Sequence, residues 1–160
     1  MKHCLLTVAI VGLMPLPAAA SDAGAADRAR AAITRQLNIY ERALNGSDVD
    51  AVMQLYAEDA VFMPQHSPPA EGRDAVRAAY RHVFEVIRLD VEFTIDEIEM
   101  LSNDWAFART RSLGTVEVLA SDQPPAPEAN QELFLLRREP DGEWRFARYI
   151  FSTTNPPRQP

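Results

Sequence analysis

The chain has 160 residues, 47% of them hydrophobic and 24% charged, with a net charge of −7. These values predict a single globular domain with an ordinary core and exclude a disordered chain. They also argue against nucleic acid as a partner, because an acidic chain lacks the basic footprint that neutralises phosphates.

The N-terminus reads as an export leader over residues 1–20. Lys2 and His3 form a short positive region, residues 5–13 are apolar, and Ala18-Ala19-Ala20 offers a small-residue cleavage site before Ser21. The apolar run is broken by Pro15 and Pro17 and is too short to span a membrane. The alternative is an uncleaved anchor. Cleavage after Ala20 would place the protein in the periplasm or outside the cell, with no membrane attachment. The only lysine, Lys2, and the only cysteine, Cys4, lie in this leader. Schiff-base chemistry, thiol nucleophiles, disulfides and cysteine metal sites are thereby excluded from the mature chain. With only His66 and His82 left, no metal site is expected.

Residues 21–31 read as a flexible approach to the first helix, and residues 32–154 as the domain. Ile33, Leu37, Tyr40 and Leu44 form a helical stripe ended by Asn45-Gly46. Ser47 is expected to start a second, short helix, with Asp50 three residues on and Val49, Val52, Met53 and Tyr56 buried. A strand is expected over residues 60–63, stopped by Pro64, followed by a loop over residues 65–72. Val76, Ala79, Tyr80, Val83, Phe84 and Ile87 mark the face of a third helix.

The period then changes from 3.6 to 2. Leu89, Val91, Phe93 and Ile95 alternate with polar residues, and the apolar phase flips to Ile98 and Met100. One extra residue near Asp96-Glu97 explains the flip, so a β-bulge is predicted there. A turn at Asn103-Asp104 leads to a strand over residues 105–119 with a phase change at Gly114. Residues 123–127 form a proline-rich loop. Residues 132–138 and 144–152 make the last hairpin, across Pro140-Asp141-Gly142. Residues 155–160 are a tail. Helices segregated from a run of antiparallel strands define an α+β fold, a curved antiparallel sheet wrapped around three N-terminal helices with room for a cavity between the layers.

Four segments stand out: Tyr40-Glu41-Arg42-Ala43-Leu44-Asn45-Gly46-Ser47-Asp48, then Leu55-Tyr56-Ala57-Glu58-Asp59-Ala60-Val61-Phe62, Glu71-Gly72-Arg73-Asp74-Ala75-Val76 and Asp141-Gly142-Glu143-Trp144-Arg145-Phe146. They resemble the nuclear transport factor 2-like superfamily, which includes ketosteroid isomerase and the SnoaL-like polyketide cyclases. The stretches around Trp105 and Tyr149 look closer to the small proteins of enediyne-type biosynthesis. The resemblance implies a cone-shaped, cystatin-like roll and a homodimer. It also implies that Tyr40 matches an oxyanion-donating tyrosine and that Glu132 matches a second, carboxylic donor. The family's general base falls on Pro64, so steroid isomerisation by that mechanism is not implied. The fold hosts enzymes, binders and assembly modules alike, so it does not choose among them.

Glu132 is the first candidate for chemistry. Alone in a dry cavity its acid form is favoured and it donates a proton; beside an arginine it stays ionised as an anchor; at a wet strand end it does neither. Trp105, Phe107, Arg109 and Arg111 share one strand parity and therefore one sheet face. Facing a cavity, the two arginines would hold a planar anion or pair with Glu132; otherwise they reach the rim. Met63 and Phe84 complete the expected substrate lining. His66, in the loop after the first strand, is a candidate base or a surface residue; His82 reads as solvated. Arg148 and Tyr149 lie on opposite faces, with the inner one undetermined. The five acids between Asp90 and Glu99 read as the wet face of a strand. There is no nucleotide-binding pattern, and no cofactor is expected. Three functions remain: an isomerase, cyclase or dehydratase using Glu132, Tyr40 and His66 on an apolar or weakly acidic small molecule, a non-catalytic binder of such a ligand, or a homodimeric assembly module.

Overall fold

The computed structural model describes residues 18–156, with side chains described from residue 24 onward. The expected leader lies almost wholly outside these residues. Helix α1 (Ala18–Asn45) includes the segment 21–31. Its alanines and arginines are strong helix formers, which suits a continuation of the helix. Ile33, Leu37, Tyr40 and Leu44 are all buried. Helix α2 (Val49–Gln54) is capped by Asp48, whose carboxylate accepts from the Ala51 amide, rather than by Ser47. Ser47 instead takes a positive φ of 50° in the turn between the two helices.

Strand β1 (Tyr56–Met63) starts four residues earlier than the sequence predicts, and a two-residue strand β2 (Ala70–Glu71) pairs with it inside the expected loop. Helix α3 (Arg73–Val86) buries Val76, Tyr80 and Phe84, as its periodicity predicts. Four long strands follow: β3 (Ile87–Met100), β4 (Trp105–Val118), β5 (Ala126–Arg138) and β6 (Trp144–Thr153). They form an antiparallel meander, and β1 joins β6 in parallel. The sheet order is β2-β1-β6-β5-β4-β3. The sheet is thus mixed rather than wholly antiparallel, because the chain returns from the helices to its far edge. It curves around the helices and does not close.

The bulge falls where the sequence places it. The register of β3 on β4 shifts between Ile95 and Glu97, which leaves Asp96 as the extra residue. No shift occurs at Gly114, contrary to expectation. Gly114 has a different purpose: a Cβ there would fall on the backbone carbonyl of Asp90, so only glycine lets β3 and β4 approach this closely. A second shift, on β6 near Ala147, restores inward parity for Tyr149 and leaves Arg148 outside.

The free edge of β3 is covered by α1. Asn45 donates from Nδ2 to the Val91 carbonyl (2.8 Å) and accepts at Oδ1 from the Val91 amide (2.9 Å). Glu41 accepts from the Phe93 amide at 2.8 Å. These side chains satisfy edge groups that would otherwise invite another strand. Among the described residues no helix is long and apolar enough to cross a membrane.

Candidate active site

The inner face of β4 carries Ala106, Ala108, Thr110 and Ser112, all buried. Ala106 and Ala108 pack into the core, and Ser112 lines a hollow on the concave side of the sheet. Facing them from β5 are Glu128, Asn130, Glu132 and Phe134, at every second position. Glu132 is not at a strand end: β5 begins six residues before it, and Glu132 is 4% exposed. Thr110 donates from Oγ1 to Glu132 Oε2 and Ser112 from Oγ to Glu132 Oε1, each at 2.5 Å. The hydroxyls favour the ionised carboxylate, but burial outweighs them and raises its pKa above the ordinary glutamate value.

Glu132 lines a cavity of about 150 Å³ between the sheet and the helices. Its walls are apolar and aromatic, with Phe62, Phe93, Tyr149 and Phe151 from the sheet, Tyr40 from α1 and Tyr80 from α3. Among the described residues no arginine, lysine or histidine lines it. Tyr149 stacks on Phe134 with ring centroids 4.2 Å apart, and Phe62 stacks between Tyr80 and Tyr149 at 5.0 and 5.4 Å.

Three tyrosine hydroxyls form a buried chain. Tyr40 Oη lies 2.5 Å from Tyr80 Oη, which lies 2.8 Å from Tyr56 Oη. Burial pushes all three hydroxyls above the ordinary tyrosine value, so they are neutral donors at physiological pH rather than bases. Three protons serve two contacts. When Tyr56 donates to Tyr80 and Tyr80 to Tyr40, the Tyr40 proton is free to point elsewhere, and accepting one bond strengthens the donation of the next.

Of the residues expected at the site, Glu132 and Tyr40 share this cavity. Trp105, Phe107, Arg109 and Arg111 do share one face, but it is the outer one, because the small residues of β4 take the inner parity. Arg109 bonds Glu97 and Asp96 at 2.7 Å each, and Arg111 bonds Asp96 at 2.9 Å, at the bulge. These bonds, those from Arg111 first, hold the Asp96 carboxyl below its usual range. Trp105 lies under the Arg137 guanidinium, 5.6 Å from the ring centroid. No arginine therefore reaches Glu132. His66 is exposed at a positive φ of 60° and its Nε2 meets Gln65 Nε2 at 2.6 Å, outside the cavity lining. Met63 takes the parity opposite Phe62, and Phe84 packs behind Tyr80 at 5.8 Å, so neither lines the cavity. Pro64 does line it, so the position of the family's base faces the cavity but carries no titrating group.

Sequence reasoning does not assign Tyr56, Tyr80, Thr110, Ser112, Asn130 or Tyr149 to the site. Thr110 and Ser112, two hydroxyl residues at one strand parity, were the available signal for partners of a buried carboxylate. Two larger hollows, about 780 and 480 Å³, open at other places on the surface. The first is lined mainly by surface charges such as Glu58, Asp141 and Arg145, and the second by alanines of α1 and the turns near Ser102 and Gly142. Neither holds a buried carboxyl.

A curved, unclosed sheet around N-terminal helices defines an α+β fold of the cystatin-like kind, here with a carboxyl in an apolar cavity. Residues 37–153 match the family model of the SnoaL-like domain. The chain belongs to this family, within the nuclear transport factor 2-like superfamily. It is similar to a ketosteroid isomerase-like protein from Erwinia carotovora atroseptica, with 38% identity over 79% of this chain and 96% of that one, at a TM-score of 0.75. A scytalone dehydratase-like protein from Novosphingobium aromaticivorans shares the fold at 21% identity, covering 83% and 89% of the two chains, at a TM-score of 0.73. So does a hexachlorocyclohexane dehydrochlorinase of LinA type from Novosphingobium barchaimii, at 15% identity over 82% and 90%, at a TM-score of 0.72.

Proposed function

We propose that this protein is an isomerase- or dehydratase-type enzyme that moves a proton on a neutral, apolar, ring-sized substrate. The observation that carries the reading is Glu132, a buried carboxyl with a raised pKa on the wall of an apolar cavity. A carboxylate lifted toward neutrality is a better base, and its conjugate acid a ready donor. The Glu132 carboxylate takes the proton from a carbon beside a carbonyl, and the electron pair moves onto the carbonyl oxygen. Tyr40 donates a hydrogen bond to that oxygen, backed by Tyr80 and Tyr56. The proton then returns to the substrate or a leaving group departs. Similarity to isomerase-like and dehydratase-like proteins supports this class of step.

Size and charge narrow the substrate. A largely apolar cavity of about 150 Å³ is the size that holds a benzene-sized molecule. With no cation in the lining and two carboxylates at it, an anion is disfavoured. This departs from the weakly acidic ligand that the arginines suggested.

The test is hydrogen exchange on cyclohexanone in deuterated buffer, followed by mass spectrometry. The wild type exchanges the α-hydrogens faster than buffer alone, and Glu132→Gln reduces the rate to background. Exchange that is equal in both proteins, or absent from both, refutes the reading.

The same reading keeps the protein dimeric and exported. Leu133 and Ile150 are cross-strand partners on the outer face of the sheet, 44% and 45% exposed, beside the half-buried Phe107 and Leu135. A second copy would cover this apolar strip. Light scattering on wild type and Leu133→Glu tests the dimer, which the charge should dissociate. The mass of the exported chain tests cleavage before Ser21.

A further inference from the structure

Asn130 stands on β5 two residues before Glu132 and lines the same cavity. Its Nδ2 donates to Glu128 Oε1 at 2.8 Å. A carboxylate only accepts, so this bond fixes which way the amide points. The other end of the amide, Oδ1, is shut off from solvent and accepts no hydrogen bond; among the described residues it is the one buried side-chain polar atom without a partner. Leaving such an acceptor bare opposes folding. Proton transfer by Glu132 and Tyr40 makes no use of it.

We propose that Asn130 is a specificity-determining residue that accepts a hydrogen bond from a hydroxyl or N–H group on the substrate. The inference rests on the proposed proton-transfer cavity and adds a chemical class to it: a neutral cyclic molecule carrying a hydrogen-bond donor. With Nδ2 held by Glu128, Oδ1 is the end of the amide left to accept from a ligand. Residues two apart on one strand face stand about 7 Å apart. A ring whose reacting carbon meets Glu132 therefore carries its hydroxyl or N–H on the side that faces Asn130. The neighbouring groups sharpen the choice. Glu128 and Glu132 repel an anion there, which leaves a neutral donor as the group that suits Asn130.

Two probes of equal shape separate this from simple burial: phenol, which has the donor, and toluene, which lacks it. Dissociation constants are measured by ligand-observed NMR for the wild type, Asn130→Leu and Glu128→Ala. The wild type should bind both. In Asn130→Leu, affinity for phenol relative to toluene should fall about fivefold, the value of one neutral hydrogen bond, while toluene binding persists. Glu128→Ala frees the amide without deleting it, and the ratio should fall by about twofold, as part of one such bond. Persistent toluene binding also shows that each variant is folded. An unchanged phenol-to-toluene ratio in both variants overturns the role of Asn130 and leaves the cavity reading standing. Failure of the wild type to bind either probe overturns both.

Discussion

Replacing Tyr80 by phenylalanine tests the tyrosine chain by a contrast that three independent hydroxyls would not produce. Tyr80 is the middle member, bonded to Tyr40 at 2.5 Å and to Tyr56 at 2.8 Å, and all three are at most 2% exposed. Tyr80→Phe removes one hydroxyl and strands two. Each stranded buried hydroxyl costs about 1–3 kcal/mol, so the variant should lose roughly 3 kcal/mol. At about 2–4 °C per kcal/mol for a domain of this size, its melting temperature should fall by roughly 6–12 °C. Tyr40→Phe removes an end member and leaves Tyr80 bonded to Tyr56, so its cost should be about 1 kcal/mol. Replacing all three with phenylalanine strands nothing and should cost less than Tyr80→Phe alone, because apolar groups of the same shape can replace a bonded set nearly neutrally. Urea unfolding of the four proteins measures this ordering. If Tyr80→Phe costs no more than Tyr40→Phe, or the triple variant is the least stable, the hydroxyls do not act as a chain and the donor assigned to Tyr40 loses its support.

Further outcomes follow from the same geometry. The raised pKa of Glu132 means that the folded chain keeps a proton which the unfolded chain releases; this stability is present below the ordinary glutamate range and is lost as pH rises through the higher folded value. Glu132→Gln should therefore gain stability relative to the wild type as pH increases, measured by thermal melts across a pH series, and a constant difference would contradict the assignment. Gly114→Ala should destabilise strongly, because its Cβ meets the Asp90 backbone rather than a side chain that can move; a melting temperature within a degree or two of wild type, about 0.5 kcal/mol, would show that β3 and β4 do not approach this closely. Arg109→Ala and Arg111→Ala should leave binding of phenol and toluene unchanged, since both arginines bond Asp96 on the outer face. Weakened binding in either variant would place them at the site after all.

At β4, periodicity groups the right residues but points them the wrong way. Alternation puts Trp105, Phe107, Arg109 and Arg111 on one face, and the structure keeps them together. Alternation has no sign, however. The larger aromatic residues suggest the inner face, whereas Ala106, Ala108, Thr110 and Ser112 take it. A sheet bent around helices has least room on its concave side, so small residues go inward and large ones cover the convex side. The same ambiguity leaves Arg148 and Tyr149 open in the sequence, and the shift at Ala147 on β6 settles it.

The sequence by itself determined whatever depends on neighbours along the chain. The stripe from Ile33 to Leu44, the face of α3, the bulge at Asp96 and the helices-then-strands order are all local periodicities, and the family motifs follow the same segments. Only the tertiary structure decided which residues meet across the cavity. Tyr40, Tyr56 and Tyr80 come from α1, β1 and α3, and Glu132 meets Thr110 and Ser112 across a strand pairing 20 or more residues away in the chain. The protonation of Glu132 depends on that meeting as well, because desolvation is set by everything packed around a carboxyl and not by the residues beside it in the sequence.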